Sequence, residues 1–218
     1  MFINFIRNNQ NMISIIGAGP CGSYLAYLLA SSGQNVSVFE EHETIGKPVQ
    51  CTGLVTNSIQ KLIDLKKEVI VNKISKVIVV APNGEEVNFQ LNTPNYVLDR
   101  RKFDSYIASC AKNAGAKYYL KKKFIDFKNN TIYFDDGTTA KTDYLVGADG
   151  PLSAVARNCG LFNKRKFMTG MQARVKGNFI KNTFVVYLGQ GYFGWSVPEN
   201  EEYSRIGVIA SSGKPQSY

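Results

Sequence analysis

The first part of the chain alternates between short apolar runs and glycine-rich turns. Residues 12–16 (MISII) form a β-prone apolar run that stops at a cluster of glycines. Residues 23–32 are then built from good helix formers, and Gly33 is placed to end that helix. Residues 34–40 form a second β-prone run. The order of strand, helix and strand predicts one βαβ unit.

Beyond residue 60 the pattern changes to a mixture of strands and helices. Residues 73–81 and 86–91 are β-prone and flank Pro82-Asn83-Gly84, where Asn-Gly is typical of a tight hairpin turn. Apolar residues at helical spacing predict a helix over 101–114. Further segments follow in order: short strands at 117–120, 124–127, 131–134 and 144–146, a helix at 152–159, and strand-like segments between Gly-rich turns over 167–212.

A glycine motif follows the first strand. Gly17-Ala18-Gly19-Pro20-Cys21-Gly22 has the spacing G-x-G-x-x-G, which permits a tight turn, a close approach by pyrophosphate, and close packing of helix on strand. The amides at the start of the next helix face such an anion. Glu40, eighteen residues after Gly22, ends the second strand, where a carboxylate can accept hydrogen bonds from ribose hydroxyls. The sequence therefore predicts binding of FAD or NAD rather than NADP.

Composition and charge limit the class of protein. The chain has 218 residues, of which 44% are hydrophobic and 20% charged, and this balance excludes a disordered or collagen-like chain. The net charge is +9, and residues 61–130 hold fourteen of the 26 basic residues but only seven of the 17 acidic ones. This basic region lies away from the glycine motif. It either forms a solvated surface or suits an anionic partner, such as the headgroups of a membrane.

The cysteines and the single histidine argue against a metal site. Cys21, Cys51, Cys110 and Cys159 form no C-x-x-C pair, and His42 cannot complete a Cys/His set of four ligands. The start of the chain lacks the long apolar region of a secretory signal. No stretch approaches the roughly 18 apolar residues that a membrane span requires. We therefore expect a cytoplasmic protein without a metal, whose contact with a membrane is at most peripheral.

Three separated motifs make the chain resemble a known family, the flavoproteins related to para-hydroxybenzoate hydroxylase. The first is the glycine motif with Glu40. The second is Leu98-Asp99-Arg100-Arg101-Lys102-Phe103-Asp104. The third is Gly147-Ala148-Asp149-Gly150-Pro151, which Ser153 and Arg157 follow. The resemblance implies that the dinucleotide is FAD.

Further motifs resemble the geranylgeranyl reductase branch of this family, which includes the archaeal digeranylgeranylglycerophospholipid reductases. They are Gly46-Lys47-Pro48, Cys51-Thr52-Gly53 and Gly194-Trp195-Ser196-Val197-Pro198. In the last of these motifs the branch usually has Tyr-x-Trp-x-Phe-Pro. This chain has Phe193 in place of the tyrosine and Val197 in place of the phenylalanine. The resemblance implies that Phe193, Trp195 and Pro198 form an apolar wall for an isoprenoid chain.

The resemblance also implies roles for individual residues. Arg100 would reach the ribityl or phosphate region of the flavin, where a guanidinium suits anionic oxygen. Asp149 would accept hydrogen bonds from flavin hydroxyls, while Gly147 and Gly150 keep the backbone close. Cys51 would lie beside the isoalloxazine and either deliver a proton or only shape the pocket. Without the resemblance, Arg100 is an ordinary arginine at a helix start and Asp149-Gly150 an ordinary turn.

These observations together predict an α/β fold. We expect a three-layer ββα Rossmann-like domain that binds FAD over residues 12–162, interrupted by a β-hairpin near 73–92. The start of an antiparallel-sheet substrate domain would follow over 163–218. Family members are nearly twice as long, and residues 160–218 contain no match to a further FAD motif of the family, a Gly-Asp-Ala helix start. We therefore expect the chain to be an N-terminal portion of the enzyme.

The resemblance implies FAD-dependent reduction of C=C bonds in geranylgeranyl chains. The substrate would be a membrane lipid or a prenyl diphosphate, the electron donor is left open, and no nucleic-acid partner is expected. Two alternatives stay open at this point. One is an FAD-dependent enzyme like the aromatic monooxygenases, which share the first motifs. The other is a non-catalytic fragment that binds a dinucleotide.

Overall fold

The computed structural model describes residues 11–210, which form two compact units. The first unit contains residues 11–49 and 101–164, and the second contains residues 50–100 and 165–210. The first unit is therefore interrupted over 50–100, a longer stretch than the predicted hairpin near 73–92. The assignment of FAD binding to 12–162 and of substrate binding to 163–218 stays a prediction.

The described residues contain strands β1 to β14 and helices α1 to α3. In chain order they are β1 (Met12–Ile16), α1 (Pro20–Ser31), β2 (Asn35–Phe39), β3 (Leu54–Val55), β4 (Ile70–Val80), β5 (Glu86–Leu98), α2 (Arg100–Asn113), β6 (Lys117–Tyr119), β7 (Phe124–Lys128), β8 (Thr131–Phe134), β9 (Thr139–Lys141), β10 (Tyr144–Gly147), α3 (Ala154–Asn158), β11 (Thr169–Lys176), β12 (Thr183–Gly189), β13 (Tyr192–Pro198) and β14 (Tyr203–Ala210). Two short 3₁₀ helices lie at Asn57–Lys61 and Lys67–Val69. None of the described helices is long and apolar enough to cross a membrane.

The first unit has three layers around a parallel sheet of order β10-β1-β2-β6. Helices α1 and α2 pack on this sheet through small buried residues, namely Ala26, Ala30, Ala108 and Ala111. An antiparallel sheet of order β7-β8-β9 covers the other face. The residues of this second interface are larger, namely Ile16, Phe39, Phe124, Ile132, Phe134 and Val155. The predicted α/β fold with a ββα arrangement is confirmed.

Helix boundaries differ from the predictions where a turn residue shapes the helix start. Helix α1 begins at Pro20, three residues before the predicted start, because the fixed φ of proline suits the first helical position. It ends as predicted before Gly33, which has a φ of +81°. Helix α3 begins two residues later than predicted. Ser153 caps it by accepting a hydrogen bond from the amide of Ala156.

The second unit is organised by one seven-stranded sheet of order β11-β14-β13-β12-β4-β5-β3. The pair β12 and β4 is parallel, and the other neighbouring strands are antiparallel. Since β4 and β12 are far apart in the chain, no short hairpin fixes their relative direction. Strand β5 continues past Pro94 to Leu98 because the pairing with β4 skips from Gln90 to Asn95. The last predicted strand is described to Ala210, and residues 211–212 lie outside the described residues.

A buried carboxylate joins three parts of this sheet. Arg174 on β11 lies directly opposite Arg205 on β14, a pairing of like charges that is unfavourable by itself. Glu199, which follows β13, accepts from Arg174 Nε at 2.6 Å and from Arg205 Nε at 2.7 Å. Burial by itself would raise the pKa of Glu199, but the hydrogen bonds and charges of the two arginines hold this pKa below its ordinary value.

We expect Glu199→Gln to destabilise the chain, because the substitution leaves two guanidinium groups facing a single neutral acceptor oxygen. Removing one partner of a buried ion pair costs about 3–5 kcal/mol. Because Arg174 is more than half exposed, we expect a loss at the lower end of this range. The free energy of unfolding, measured by urea denaturation at pH 7, should fall by about 3 kcal/mol.

The pH dependence tests the same ion pair. Because the folded pKa of Glu199 is lowered, its contribution is complete above the pKa of an unfolded glutamate, about 4.3, and is lost as the pH falls through the folded pKa. The stability difference between wild type and Glu199→Gln should therefore shrink below about pH 4. An undiminished difference at lower pH would contradict the ion-pair interpretation.

Candidate functional site

Two of the predicted motifs, the glycine motif with Glu40 and the motif that begins at Gly147, meet at one edge of the parallel sheet. Strands β1, β2 and β10 are neighbours, and Ile16 lies opposite both Phe39 and Gly147 at their carboxyl ends. The amide of Gly17 donates to the carbonyl of Phe39, and the amide of Ala148 donates to the carbonyl of Ile16, both at 2.8 Å. Ligands of open α/β sheets bind at such an edge. We call the group formed by Gly17–Gly22, Glu40 and Gly147–Gly150 the carboxyl edge.

The three glycines of the motif have different local surroundings. A Cβ on Gly17, which has a φ of +101°, would lie 2.4 Å from the carbonyl oxygen of Ala148. A Cβ on Gly22 would lie 2.0 Å from the carbonyl oxygen of Gly17. A Cβ on Gly19 would meet no atom within 4 Å, and its φ of −66° suits any residue. Packing therefore requires Gly17 and Gly22, whereas Gly19 borders open space.

The open space at Gly19 lies at the start of α1, where backbone donors are available. Gly19 is the N-cap residue and Pro20 has no N–H. The amides of Cys21 and Gly22 have no acceptor within the helix, because the first turn of a helix leaves its N–H groups unpaired. Donors beside an open space at the positive end of the helix dipole suit a phosphate group. The glycine motif thus fits the pyrophosphate of a dinucleotide.

Glu40 connects the glycine motif to the end of β2. Its Oε2 accepts from the amide of Ala18 at 2.7 Å, and its Oε1 accepts from the amide of His42 at 3.1 Å. The Nδ1 of His42 lies 2.6 Å from the same Oε1. An ionised carboxylate has about four lone-pair sites, so Glu40 keeps capacity for a ribose hydroxyl. Binding of ribose by Glu40 stays a prediction.

Asp149 holds the third motif in place through the start of α3. Its Oδ2 accepts from the amides of Ala154 at 2.7 Å and Val155 at 3.1 Å, and its Oδ1 accepts from the Ser153 hydroxyl at 2.5 Å. Gly150 has a φ of +81°, which a glycine adopts without strain. Asp149 therefore fixes the turn at the carboxyl edge. Its contact with flavin hydroxyls stays a prediction, as do the cofactor contacts of Gly147 and Gly150.

In the second unit, Cys51 lies on a tightly folded loop. Its side chain is exposed, and its Sγ accepts a hydrogen bond from the amide of Gly53 at 3.4 Å. Gly53 has a φ of +81°, and a Cβ there would lie 2.4 Å from the carbonyl oxygen of Leu98 and 3.3 Å from Cγ of Arg100. The loop Cys51-Thr52-Gly53, which we call the cysteine loop, is thus packed beside Arg100. The flavin contact of Arg100 stays a prediction.

The cysteine loop is bonded to the face of the large sheet that carries Trp195. The hydroxyl of Thr52 donates to Oε1 of Gln172 at 2.8 Å. Gln172, Gly207 and Trp195 lie directly opposite one another on β11, β14 and β13, so they share one face of the sheet. A Cβ on Gly207 would lie 2.2 Å from Cζ2 of Trp195, and the indole therefore occupies the place of a missing side chain.

Phe193 extends this face, because it lies two residues before Trp195 on the same strand. The two ring centroids are 5.9 Å apart, and Phe193 is 40% exposed. The indole Nε1 of Trp195 is buried and has no acceptor among the residues that the structure describes. We call the surface formed by Gln172, Phe193 and Trp195 the tryptophan face. By strand alternation the side chain of Pro198 lies on the opposite face. The contacts of Phe193, Trp195 and Pro198 with a substrate stay predictions.

The sheet carries an apolar groove with a volume of about 380 Å³, and its lining includes Gln172 and Trp195 together with residues that alternate onto the opposite face. The side chains that alternation places on this face include Met171, Tyr187, Tyr192, Ile206 and Val208. The sequence analysis did not single out these residues.

The sequence analysis also missed Gln172 and Arg205. Arg205 Nη1 donates to the carbonyl of Thr52 at 2.6 Å and to the carbonyl of Leu98 at 3.2 Å. Both residues lie outside the recognised motifs. A polar residue in a strand does not by itself indicate a hydrogen bond to a loop more than 100 residues away in the sequence. Over residues 11–210, no group of three or more His, Cys, Asp or Glu residues could hold a metal ion.

Curated relatives bear out the resemblance to geranylgeranyl reductases. The chain is 28% identical over 212 residues to the digeranylgeranylglycerophospholipid reductase of Methanocaldococcus jannaschii, covering 89% of this chain and 54% of that protein. It is 29% identical over 220 residues to digeranylgeranylglycerophospholipid reductase 2 of Methanopyrus kandleri, covering 90% of this chain and 54% of that protein. The chain therefore spans about half the length of these relatives.

Solved structures support the fold, and a family match supports the cofactor. A geranylgeranyl bacteriochlorophyll reductase-like protein from Thermoplasma acidophilum aligns with a TM-score of 0.84 and 23% identity, over 92% of this chain and 56% of that chain. At this identity the likeness shows the fold alone. The family described as the FAD binding domain matches residues 10–187, which confirms FAD as the cofactor. The chain belongs to the FAD binding domain family and is similar to proteins named digeranylgeranylglycerophospholipid reductase.

Proposed function

We propose that this protein uses FAD to reduce isolated C=C bonds in geranylgeranyl chains of membrane lipids or prenyl diphosphates. The observation that carries the proposal is the bond between Thr52 of the cysteine loop and Gln172, in line with Trp195 on the tryptophan face. Two motifs of the reductase branch, far apart in sequence, are thereby linked within one unit. The names of the curated relatives support the same substrate class.

The residues of the carboxyl edge fit the nucleotide part of FAD. Gly19 leaves room for the pyrophosphate, and the amides of Cys21 and Gly22 supply donors. Glu40 would accept from the ribose, while Arg100 would donate to anionic oxygens of the cofactor. When bound and reduced by an electron donor that is left open, the flavin would supply the hydride that is added to one alkene carbon.

The tryptophan face and the cysteine loop would serve the substrate. Phe193 and Trp195 offer aromatic surface that would exclude water from an isoprenoid chain and hold its double bond. Cys51 Sγ would deliver the proton to the second alkene carbon, and the resulting thiolate would regain a proton from solvent. One hydride and one proton together convert each C=C bond into a saturated bond.

We further propose a cytoplasmic location with peripheral contact to anionic headgroups, which the basic balance of residues 61–130 supports. In a flotation experiment, we expect the chain to bind vesicles that contain anionic lipid and to bind neutral vesicles less. Raised salt should release it, since the attraction between charges is screened. Equal binding to both kinds of vesicle would contradict the electrostatic contact.

Two alanine substitutions test the glycine motif. Gly19→Ala should weaken FAD binding about ten-fold or more, because its methyl group enters the open space, while an N-cap change costs only about 1 kcal/mol of stability. Gly22→Ala should instead lower the free energy of unfolding by about 1–3 kcal/mol, because its Cβ meets the Gly17 carbonyl.

Flavin fluorescence and urea denaturation measure the two effects. Wild-type affinity for FAD in Gly19→Ala would contradict a pyrophosphate at this position. A Gly22→Ala chain as stable as wild type would contradict the close backbone contact.

The proposed reaction is tested with the chain, FAD reduced anaerobically by dithionite, and a geranylgeranyl glycerophospholipid. Mass spectrometry should detect the hydrogenated lipid. Cys51→Ala should lower kcat by about 10²–10⁴-fold if its thiol delivers the proton, while FAD affinity stays unchanged. Cys159→Ala, which removes another exposed thiol, is the matched control and should react like wild type. Absence of any hydrogenated product with wild type would contradict the proposed function.

A further inference from the structure

One nearly buried arginine connects the two motifs of the second unit. The side chain of Arg205 is 13% exposed, and its Nε donates to Glu199, which directly follows the motif that contains Trp195. Its Nη1 donates to the carbonyl of Thr52, in the middle of the cysteine loop, and to the carbonyl of Leu98. A single planar guanidinium therefore joins the end of β13 to the cysteine loop.

The cysteine loop makes further contacts beside Arg205. The amide of Leu98 donates to the carbonyl of Gly53 at 2.9 Å, and the hydroxyl of Thr52 donates to Gln172. A Cβ on Gly53 would lie 3.0 Å from Arg205 Nη1, so the guanidinium and the loop backbone are in close contact. Donors of a guanidinium have a fixed planar geometry, and its hydrogen bonds are charge-assisted. Arg205 can thus fix the direction of the loop as well as its distance from the sheet.

We propose that Arg205 is a positioning residue that holds the cysteine loop, and with it the thiol of Cys51, in one place beside the tryptophan face. Arg205 acts through the carbonyl of Thr52 and makes no bond to the sulfur among the described residues. The consequence for catalysis rests on the proposed function. The holding of the loop does not, because it is a property of the chain without substrate.

Arg174 offers a matched control. It donates to Glu199 at 2.6 Å, and its guanidinium lies 3.6 Å from the ring centroid of Tyr203. No hydrogen bond from Arg174 to the cysteine loop is found in the described part of the chain. Arg174→Lys therefore perturbs the same carboxylate without releasing the loop, whereas Arg205→Lys keeps the charge but cannot reproduce the planar set of donors.

The first experiment measures the alkylation rate of Cys51 by iodoacetamide in the full chain, with Cys21, Cys110 and Cys159 replaced by serine. We expect Arg205→Lys and Arg205→Gln each to raise this rate at least about five-fold, because a released loop frees the exposed sulfur from the amide of Gly53, and the loss of one typical hydrogen bond corresponds to this ratio. Arg174→Lys should label at the rate of its parent. Near-UV circular dichroism of each variant checks that the chain is folded during labelling.

Other outcomes would overturn the proposal. Equal rates in the Arg205 variants and in Arg174→Lys would show that Arg205 only stabilises the sheet. A slower rate in Arg205→Gln together with an unchanged rate in Arg205→Lys would show that only its charge acts on the thiol.

A second experiment measures the catalytic consequence in the reduction of the geranylgeranyl lipid. Arg205→Lys should lower kcat while KM and the affinity for FAD stay within two-fold of wild type, and Arg174→Lys should leave kcat unchanged. A rise in KM with an unchanged kcat would contradict a positioning role. If wild type forms no hydrogenated lipid, the proposed function fails, but the labelling experiment still decides whether Arg205 holds the loop.

Discussion

The contact between Gly22 and the carbonyl of Gly17 is the constraint on which the cofactor site depends. It brings the first turn of α1 against the end of β1 at a distance that any side chain would prevent. The same closeness suits the small buried residues, Ala26 and Ala30, through which α1 packs on the sheet. As a result, backbone amides and the open space at Gly19 lie next to each other at the start of α1.

The other groups of the carboxyl edge are held by hydrogen bonds rather than by close packing. Glu40 ties the glycine motif to the end of β2, and Asp149 fixes the turn after β10 by capping α3. Each carboxylate therefore has a structural task in addition to the one predicted for it. A cofactor that binds here meets a set of donors and acceptors whose positions are already set, which reduces the cost of ordering them.

Ion pairs hold the second unit's key contacts in place, whereas small residues allow the close packing of the first unit. Arg174 and Arg205 face each other across two strands, and Glu199 makes this arrangement favourable. Because Arg205 also bonds to the cysteine loop, the stability of the sheet and the position of Cys51 depend on the same guanidinium. The loop that carries an exposed thiol is thus attached to the ion pair between Arg205 and Glu199.

Sequence predicted the parts of the structure that local chemistry decides. The glycine motif, the strand before it and Gly33 after the helix each have a short-range cause, and the structure has them where they were expected. The passage of β5 beyond Pro94 and the parallel pairing of β4 with β12 depend on partners far along the chain. For the same reason the bonds of Gln172 and Arg205 to the cysteine loop could not be read from the sequence, although both motifs that they connect were recognised.

The most direct measurement adds ADP or FMN to the chain with bound FAD and then quantifies, by chromatography, the FAD that stays bound. The carboxyl edge is expected to hold the adenosine and the pyrophosphate, so ADP should displace FAD from the chain. FMN, which lacks the adenosine, should displace it far less. Displacement by FMN but not by ADP, or the absence of any FAD binding, would contradict the cofactor site described for this chain.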